Sequence, residues 1–354
     1  MIEISVPARV CLFGEDLDYM DLHVITAAIN LRMHIRGDFS DDGNISMYYQ
    51  DLDESDQFPI NQPAPYRKKR DYIRAAFNVL NRKGYKIAKG VTATIWSEIP
   101  IGRGLASSSV LTVIWIAFLN ESFGFKLKKE EIAELAYQSE VVENKESGGN
   151  MDHYACSLGH GMHMDCDCNE IKQINLDHLA ESIVIADTLI DKKELVHGER
   201  KRNIVEGMRY FSKFVPFDIK ITKCEELEPY YSQIPTEPLK HARAILRLRD
   251  ITKEAEEELN NGVINHEKIG QLIDAFHKEL VGGFNNSTEM TEKLIQEAKK
   301  AGSLGGKILG SGFGGCVLLY CPGKQKEVAR VVEKCGGRPY IVQVDEGIII
   351  ESKE

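Results

Sequence analysis

The chain has 354 residues, of which 43% are hydrophobic and 28% charged, with a formal net charge of −10. That length suits two domains with sizeable cores, and the composition is ordinary for a soluble globular protein. The acidic surplus argues against a nucleic-acid partner, because it leaves no excess cation to neutralise phosphates. No N-terminal apolar h-region and no long uninterrupted apolar run occurs, which argues against secretion and a membrane span.

In chain order, residues 2–12 alternate apolar and polar and predict a strand that Gly14 ends. Val24 to Ile35 predicts a second strand. Asp41-Asp-Gly-Asn44 reads as a hairpin turn between two β-like runs. Residues 51–68 are polar and Pro-rich and predict a surface loop. Asp71 to Arg82 has helical periodicity, Val91 to Trp96 is a β-branched strand, and Val110 to Leu119 is a buried helix. Residues 128–145 predict an amphipathic helix with Ile132, Leu135, Ala136 and Val142 inward, stopped by Gly148-Gly149.

Met151 to Leu158 predicts a short helix, then Gly161 to Asp165 and Ser182 to Asp187 predict strands. Helices dominate from about Glu194 to Ala301. Glu199-Arg200-Lys201-Arg202 reads as a solvated helix face. Gly305 to Leu309 and Cys316 to Cys321 are strands joined by a glycine-rich loop, Glu327 to Lys334 a helix, and Pro339 to Val344 and Gly347 to Glu351 closing strands. The mixture is not a regular βα alternation, so α+β is expected, with a boundary between 180 and 200. The eight cysteines form one C-x-C pair, Cys166 and Cys168, and no C-x-x-C. A zinc ribbon is therefore unsupported, and a reducing, cytoplasmic setting is expected.

Four segments carry chemistry. In Pro7 to Asp21 a strand ends at Gly14, and Glu15, Asp16 and Asp18 follow within four positions. Three acids that close repel one another. They suit the hydroxyls of a sugar, a divalent metal, or only a solvated acidic turn. Arg9 on the same strand is either a surface charge or a cation aimed at a reacting oxygen. Pro100-Ile-Gly-Arg-Gly-Leu-Ala-Ser-Ser-Ser109 lies at a strand-to-helix junction, where free helical N–H groups and the dipole favour an anion. Its plainer reading is an N-cap loop closed by Ser107 or Ser108. It is not a Walker A loop.

Gly310-Ser-Gly-Phe-Gly-Gly315 matches G-x-G-x-x-G, but a strand follows where a dinucleotide site needs a helix. A glycine-rich hairpin covering another loop is the better reading. In Ser147-Gly-Gly-Asn-Met-Asp152-His153, Asp152 taken alone is a capping residue, and Glu140 upstream taken alone is a solvated helix charge.

Together and in this order the four segments resemble the GHMP small-molecule kinases, the galactokinase branch most closely. Pro7-Ala-Arg-Val-Cys-Leu-Phe-Gly-Glu-Asp-Leu-Asp-Tyr19 is similar to the branch's P-G-R-V-N-L-I-G-E-H-T-D-Y segment. Pro100 to Ser108 is similar to P-x-G-x-G-L-S-S-S, Gly149 to His153 to G-x-M-D-Q, and Gly310 to Cys316 to G-x-G-F-G-G-C. The resemblance implies an N-terminal ribosomal protein S5 domain 2-like domain over 1–190 and a C-terminal ferredoxin-like domain over 191–354. It implies that Pro100, Gly102, Gly104, Leu105, Ala106, Ser107, Ser108 and Ser109 hold ATP, and that Ser108 and Glu140 hold Mg²⁺. It makes Asp152 the acceptor of the substrate's proton and Arg9 the cation beside it. Glu15, Asp16, Asp18 and Tyr19, with Gly312 and Gly314, fall to the acceptor.

The branch has His where this chain has Asp16. An acceptor-only anion there counts against galactose itself, and against an anionic substrate at that contact. The activity implied is ATP- and Mg²⁺-dependent phosphorylation of a monosaccharide at its anomeric hydroxyl. A mevalonate- or homoserine-type kinase is opposed by Asp18-Tyr19, and a non-catalytic sugar sensor by the joint presence of Arg9, Ser108, Glu140 and Asp152.

Overall fold

The computed structural model describes residues 1–176, 179, 181–192, 197–261 and 263–353. The chain folds into two compact units that interleave in sequence. The first comprises Met1–Arg9, Ala27–His160 and Val344–Glu354; the second comprises Val10–Thr26 and Gly161–Gln343. The chain passes between these units after residues 9, 26, 160 and 343. Two strands, β1 (Ile2–Phe13) and β2 (His23–Ser40), are long enough to serve both.

The first unit is built on a sheet with β3 (Asn44–Tyr49), β4 (Glu54–Pro59), β5 (Gly90–Ser97) and β12 (Ile349–Lys353), in the order β12-β1-β2-β5-β3-β4. The turn at Asp41–Asn44 is therefore not a hairpin turn. β5 lies between β2 and β3, antiparallel to the first and parallel to the second. Gly90 makes this possible: a Cβ there would lie 2.5 Å from Ser40 Oγ and 2.9 Å from the Asn44 carbonyl, so the turn wraps the start of β5. Part of the stretch read as a surface loop, 51–68, is strand β4, paired along its length with β3. Its sequence ESDQFP has a single buried side chain, Phe58, so no apolar alternation betrays it.

Helices α1 (Tyr72–Arg82), α2 (Ser107–Phe123), α3 (Lys129–Tyr137) and α4 (Met151–Leu158) complete this unit. α2 is apolar all round, as a helix buried on every side must be. Residues Thr112 to Asn120 are all buried, and the Phe118 ring lies where a Gly37 Cβ would clash, at 2.7 Å. The amphipathic helix expected through 145 ends as a π-turn, Gln138–Val142. Ile132, Leu135 and Ala136 face inward, but the wider turn shifts the register, burying Val141 and leaving Val142 55% exposed.

In the second unit, β6 (Gly161–Asp165) pairs with β7 (Glu170–Ile174) and with β2. β8 (Ile183–Asp187), β9 (Gly305–Ile308), β10 (Cys316–Tyr320) and β11 (Arg338–Val342) form an antiparallel sheet in the order β11-β8-β10-β9. Val184, Ala186, Val317 and Leu319 share a core with Leu294, Ile295 and Ala298 of α9 (Glu289–Lys300) and Val328 and Val332 of α10 (Gln325–Lys334). Helices α5 (His197–Phe211), α6 (Cys224–Leu227), α7 (Thr236–Leu259) and α8 (His266–Phe284) lie between β8 and α9 in sequence. Small residues let them approach: a Cβ on Gly207 would lie 2.2 Å from the Pro238 carbonyl, and one on Gly283 2.3 Å from Ala244 Cβ. The expected start of this helical stretch, Glu194, lies outside the described residues. Among the described residues no helix is long and apolar enough to cross a membrane. The architecture is mixed α+β, as expected.

Candidate active site

In the first unit, Arg9 grips Asp152 with both ends of its guanidinium. Nε donates to Oδ1 and Nη2 to Oδ2, each at 2.7 Å, while Nη1 donates to the Gly104 carbonyl at 2.8 Å. β1 supplies the arginine, the first turn of α4 the aspartate, and the loop before α2 the carbonyl. Asp152 is not the cap of α4: Asn150 holds that position and no side chain caps the helix. A bidentate guanidinium–carboxylate pair is a charge-assisted contact of fixed geometry, so it sets the orientation of the Asp152 carboxylate. The Arg9 side chain is nearly buried, whereas about a quarter of Asp152 remains open.

The loop itself is built of left-handed residues. Gly102, Gly104 and Ala106 have φ of 69°, 94° and 62°. Ser107 does not cap α2. Its Oγ accepts from the Gly102 N–H at 3.1 Å, bracing the loop, and no side chain caps the helix. The first-turn N–H groups of α2 thus carry no side-chain cap, the condition for an anion at a helix N-terminus. Leu105 and Ser109 are buried, so they anchor the loop; Pro100 is half-buried.

Ser107 and Ser108 also line a cavity of about 570 Å³, walled by Tyr49, Leu52, Tyr72, Ile95 and Leu111 and rimmed by Arg67, Lys68 and Arg70. That volume is in the range of small-molecule sites. Glu140, on the π-turn, is buried and accepts from His153 Nε2 at 2.7 Å. It is not the solvated helix charge its position alone suggests. Burial disfavours the His153 cation, but the adjacent Glu140 carboxylate and the hydrogen bond to it outweigh burial and raise its pKa above 6.5. Tyr72 of the cavity wall is raised by burial and then by the charge of Glu140, so that carboxylate is felt at the cavity.

The acceptor candidates lie in the second unit. Glu15 is fully buried in an ion pair with Lys307, whose Nζ also donates to the Ile308 carbonyl at 3.2 Å. Glu15 Oε2 is buried without a hydrogen-bond partner. Asp16, at φ 66°, accepts from Tyr19 Oη at 2.6 Å and from Arg200 Nη1 at 2.6 Å. Arg200 is not on a solvated face. It is 5% exposed, lies 4.6 Å from the Phe284 ring centroid, and donates to the Ser311 carbonyl at 3.3 Å. Asp16 is thereby a neutralised member of a pair and not the bare anion its sequence position implies. Burial, then Asp16, raises the Tyr19 pKa. Asp18 opens a short 3₁₀ turn with Tyr19.

Gly312 and Gly314 sit in a loop that joins β9 to β10. A Cβ on Gly312 would lie 2.4 Å from the Asn286 carbonyl, and one on Gly314 2.6 Å from that of Ile190, both at positive φ. Close backbone approach thus explains both glycines, and the loop does cover its neighbours. Sequence reasoning missed His153, Lys307 and Arg200 as partners. Lys307 stands three residues before a motif glycine and could have been suspected; Arg200 sits in an ordinary charged run that carries no signal.

Residues 71–160 match the GHMP kinases N terminal domain, residues 255–338 the GHMP kinases C terminal domain, and residues 2–37 the galactokinase galactose-binding signature. A mevalonate kinase of Thermococcus onnurineus is 30% identical, over 98% of this chain and 97% of its own. A galactokinase of Mannheimia succiniciproducens is 27% identical, over 94% of this chain and 88% of its own. The crystal structure of Lactococcus lactis galactokinase complexed with galactose shares the fold, with a TM-score of 0.88 at 23% identity over 98% of this chain and 94% of that one. With both family domains present and full-length relatives at this identity, the chain belongs to the GHMP kinase family and is a phosphotransferase acting on an alcohol group.

Proposed function

We propose that this kinase transfers the terminal phosphoryl group of ATP to the anomeric hydroxyl of a monosaccharide. The observation that carries the chemistry is the Arg9–Asp152 pair tied to the Gly104 carbonyl. Phosphoryl transfer needs alignment and charge neutralisation more than covalent help. The uncapped first turn of α2 offers N–H donors to phosphate oxygens, and the adjoining cavity is large enough for a nucleoside. Asp152, held in place by Arg9, accepts the proton of the attacking hydroxyl, and the same guanidinium neutralises charge on the oxygen as it attacks.

Ser108 and Glu140 are hard oxygen donors that fit Mg²⁺. Glu140 engages His153 through one oxygen, so a second carboxylate oxygen remains in the donor set. Bound there, Mg²⁺ would neutralise phosphate charge. Supporting a sugar acceptor are the match of residues 2–37 to the galactose-binding signature and the ordered Asp16–Tyr19 contact. We assign the reaction to the cytoplasm, where ATP is abundant and the eight cysteines, none of them in a disulfide among the described residues, stay reduced.

A second reading, a mevalonate-type acceptor, is favoured by the 30% identity to a mevalonate kinase. ADP release over a panel of monosaccharides, mevalonate and homoserine separates the two, and phosphorus NMR of the product locates the phosphate. Turnover with mevalonate alone overturns the sugar reading. Thermal stabilisation by a sugar without turnover would make the chain a sensor.

A further inference from the structure

Three residues outside the reaction described above converge in the second unit. His23 opens β2, His163 sits in the middle of β6, and Glu256 projects from α7. The two imidazoles stack, with centroids 5.0 Å apart and planes 17° from parallel, and His23 Nδ1 lies 2.9 Å from His163 Nε2. His163 Nδ1 faces Glu256 Oε1 at 3.2 Å, and His23 Nε2 faces Asp165 Oδ2 at 3.6 Å. One donor atom from each of His23, His163 and Glu256 lies within 4.8 Å of the other two.

We propose that His23, His163 and Glu256 form a binding site for a zinc-class divalent transition metal. The donor set is two imidazole nitrogens and one carboxylate oxygen, which suits Zn²⁺ and its neighbours and not Mg²⁺ or Ca²⁺. Donors about 2.0–2.1 Å from a tetrahedral zinc lie roughly 3.3 Å from one another. His163 meets His23 through Nε2 and Glu256 through Nδ1, so gathering all three donors on one nitrogen of His163 takes a rotation of the His23 or Glu256 side chain, from donor atoms already within 4.8 Å of one another. The residues that must move are the freer ones. His163 is held nearly buried in its strand, while the side chains of His23 and Glu256 are 45% and 29% exposed. The open side of His23 leaves room for a water as a further ligand. Asp165 faces the second nitrogen of His23 at ion-pair distance, 3.6 Å, beyond a direct hydrogen bond. A bound metal would join the start of β2, β6 and α7 in one cross-link.

The test is calorimetric titration of the full chain, first stripped with a chelator, with Zn²⁺ in the absence of nucleotide, and a parallel melting curve. One Zn²⁺ per chain is expected, with a rise in melting temperature. His23→Ala and Glu256→Gln change side chains that are partly open to solvent and should each weaken binding at least about tenfold, with unchanged circular dichroism confirming the fold. Cys168→Ser, which removes an exposed thiol nearby in the chain, should leave binding intact. Absence of saturable Zn²⁺ binding overturns the proposal. So does binding unchanged in either His23→Ala or Glu256→Gln, or binding lost in Cys168→Ser.

Discussion

Arg9 and Asp152 are 143 positions apart in the chain and share two hydrogen bonds. If Asp152 takes the proton, Asp152→Asn keeps the shape and removes the base. We expect kcat to fall by about 10²–10⁴-fold, with the affinity for an ATP analogue within a few fold of the original. Wild-type turnover in that variant would remove Asp152 from its assigned role. Arg200 permits a stability test at the same scale. It and Asp16 are both nearly buried, so Arg200→Met strands a carboxylate and should cost about 3–5 kcal/mol in urea unfolding. The double variant Asp16→Asn/Arg200→Met should recover a large part of that loss; an undiminished loss would mean the pair is not what matters there.

At the scale of elements, the β9–β10 loop and α8 carry the next expectations. Gly312 has φ 80° and a backbone carbonyl where its Cβ would go. Gly312→Ala should destabilise by at least about 1–3 kcal/mol, read from the melting temperature. A variant as stable as the parent would show that the Asn286 approach is slack. His277 of α8 gives a pH dependence. Burial depresses its pKa below 6.5, more than the Glu292 carboxylate at 3.1 Å from Nε2 raises it. Below 6.5 the unfolded chain therefore binds more protons at this site than the folded one. The stability it contributes is present above pH 6.5 and lost as pH falls through that value. Urea midpoints measured from pH 7.5 to 5.5 should fall, and His277→Gln should flatten part of the slope; an unchanged slope would assign the effect to other groups.

Across the described residues no disulfide joins the eight cysteines, of which six are buried, Cys168 is exposed and Cys335 is half-buried. A thiol reagent should label Cys168 and Cys335 rapidly in the native protein and all eight after denaturation. Rapid native labelling of more than these would contradict the buried positions. An ATP analogue with Mg²⁺ at a hundred times its dissociation constant should stabilise the fold by about 2.7 kcal/mol.

Much of this organisation is legible without coordinates, because it rests on local chemistry. The apolar run Val110 to Leu119 can only be a buried helix, β-branched residues mark β5, and the positive-φ glycines at 102, 104 and 312 announce tight loops. Four motifs in order carry the family. What the sequence leaves open is whatever depends on partners distant in the chain. The placing of β5 between β2 and β3 is set by the pairing of segments some fifty residues apart, and an Asp-Asp-Gly-Asn turn looks the same whether or not it closes a hairpin. Strand β4 hides because its neighbours, not its own pattern, hold it. The charges of Asp16 and Glu15 looked alike in sequence. Arg200, 184 positions away, and Lys307, 292 positions away, make both into buried pairs. Sequence by itself determined the helices and strands that carry a clear side-chain period, and the catalytic family, since these follow from period and motif chemistry. Only the tertiary structure decided which charges stand bare and which are neutralised, because burial and a counter-ion at hydrogen-bond distance are properties of the folded chain.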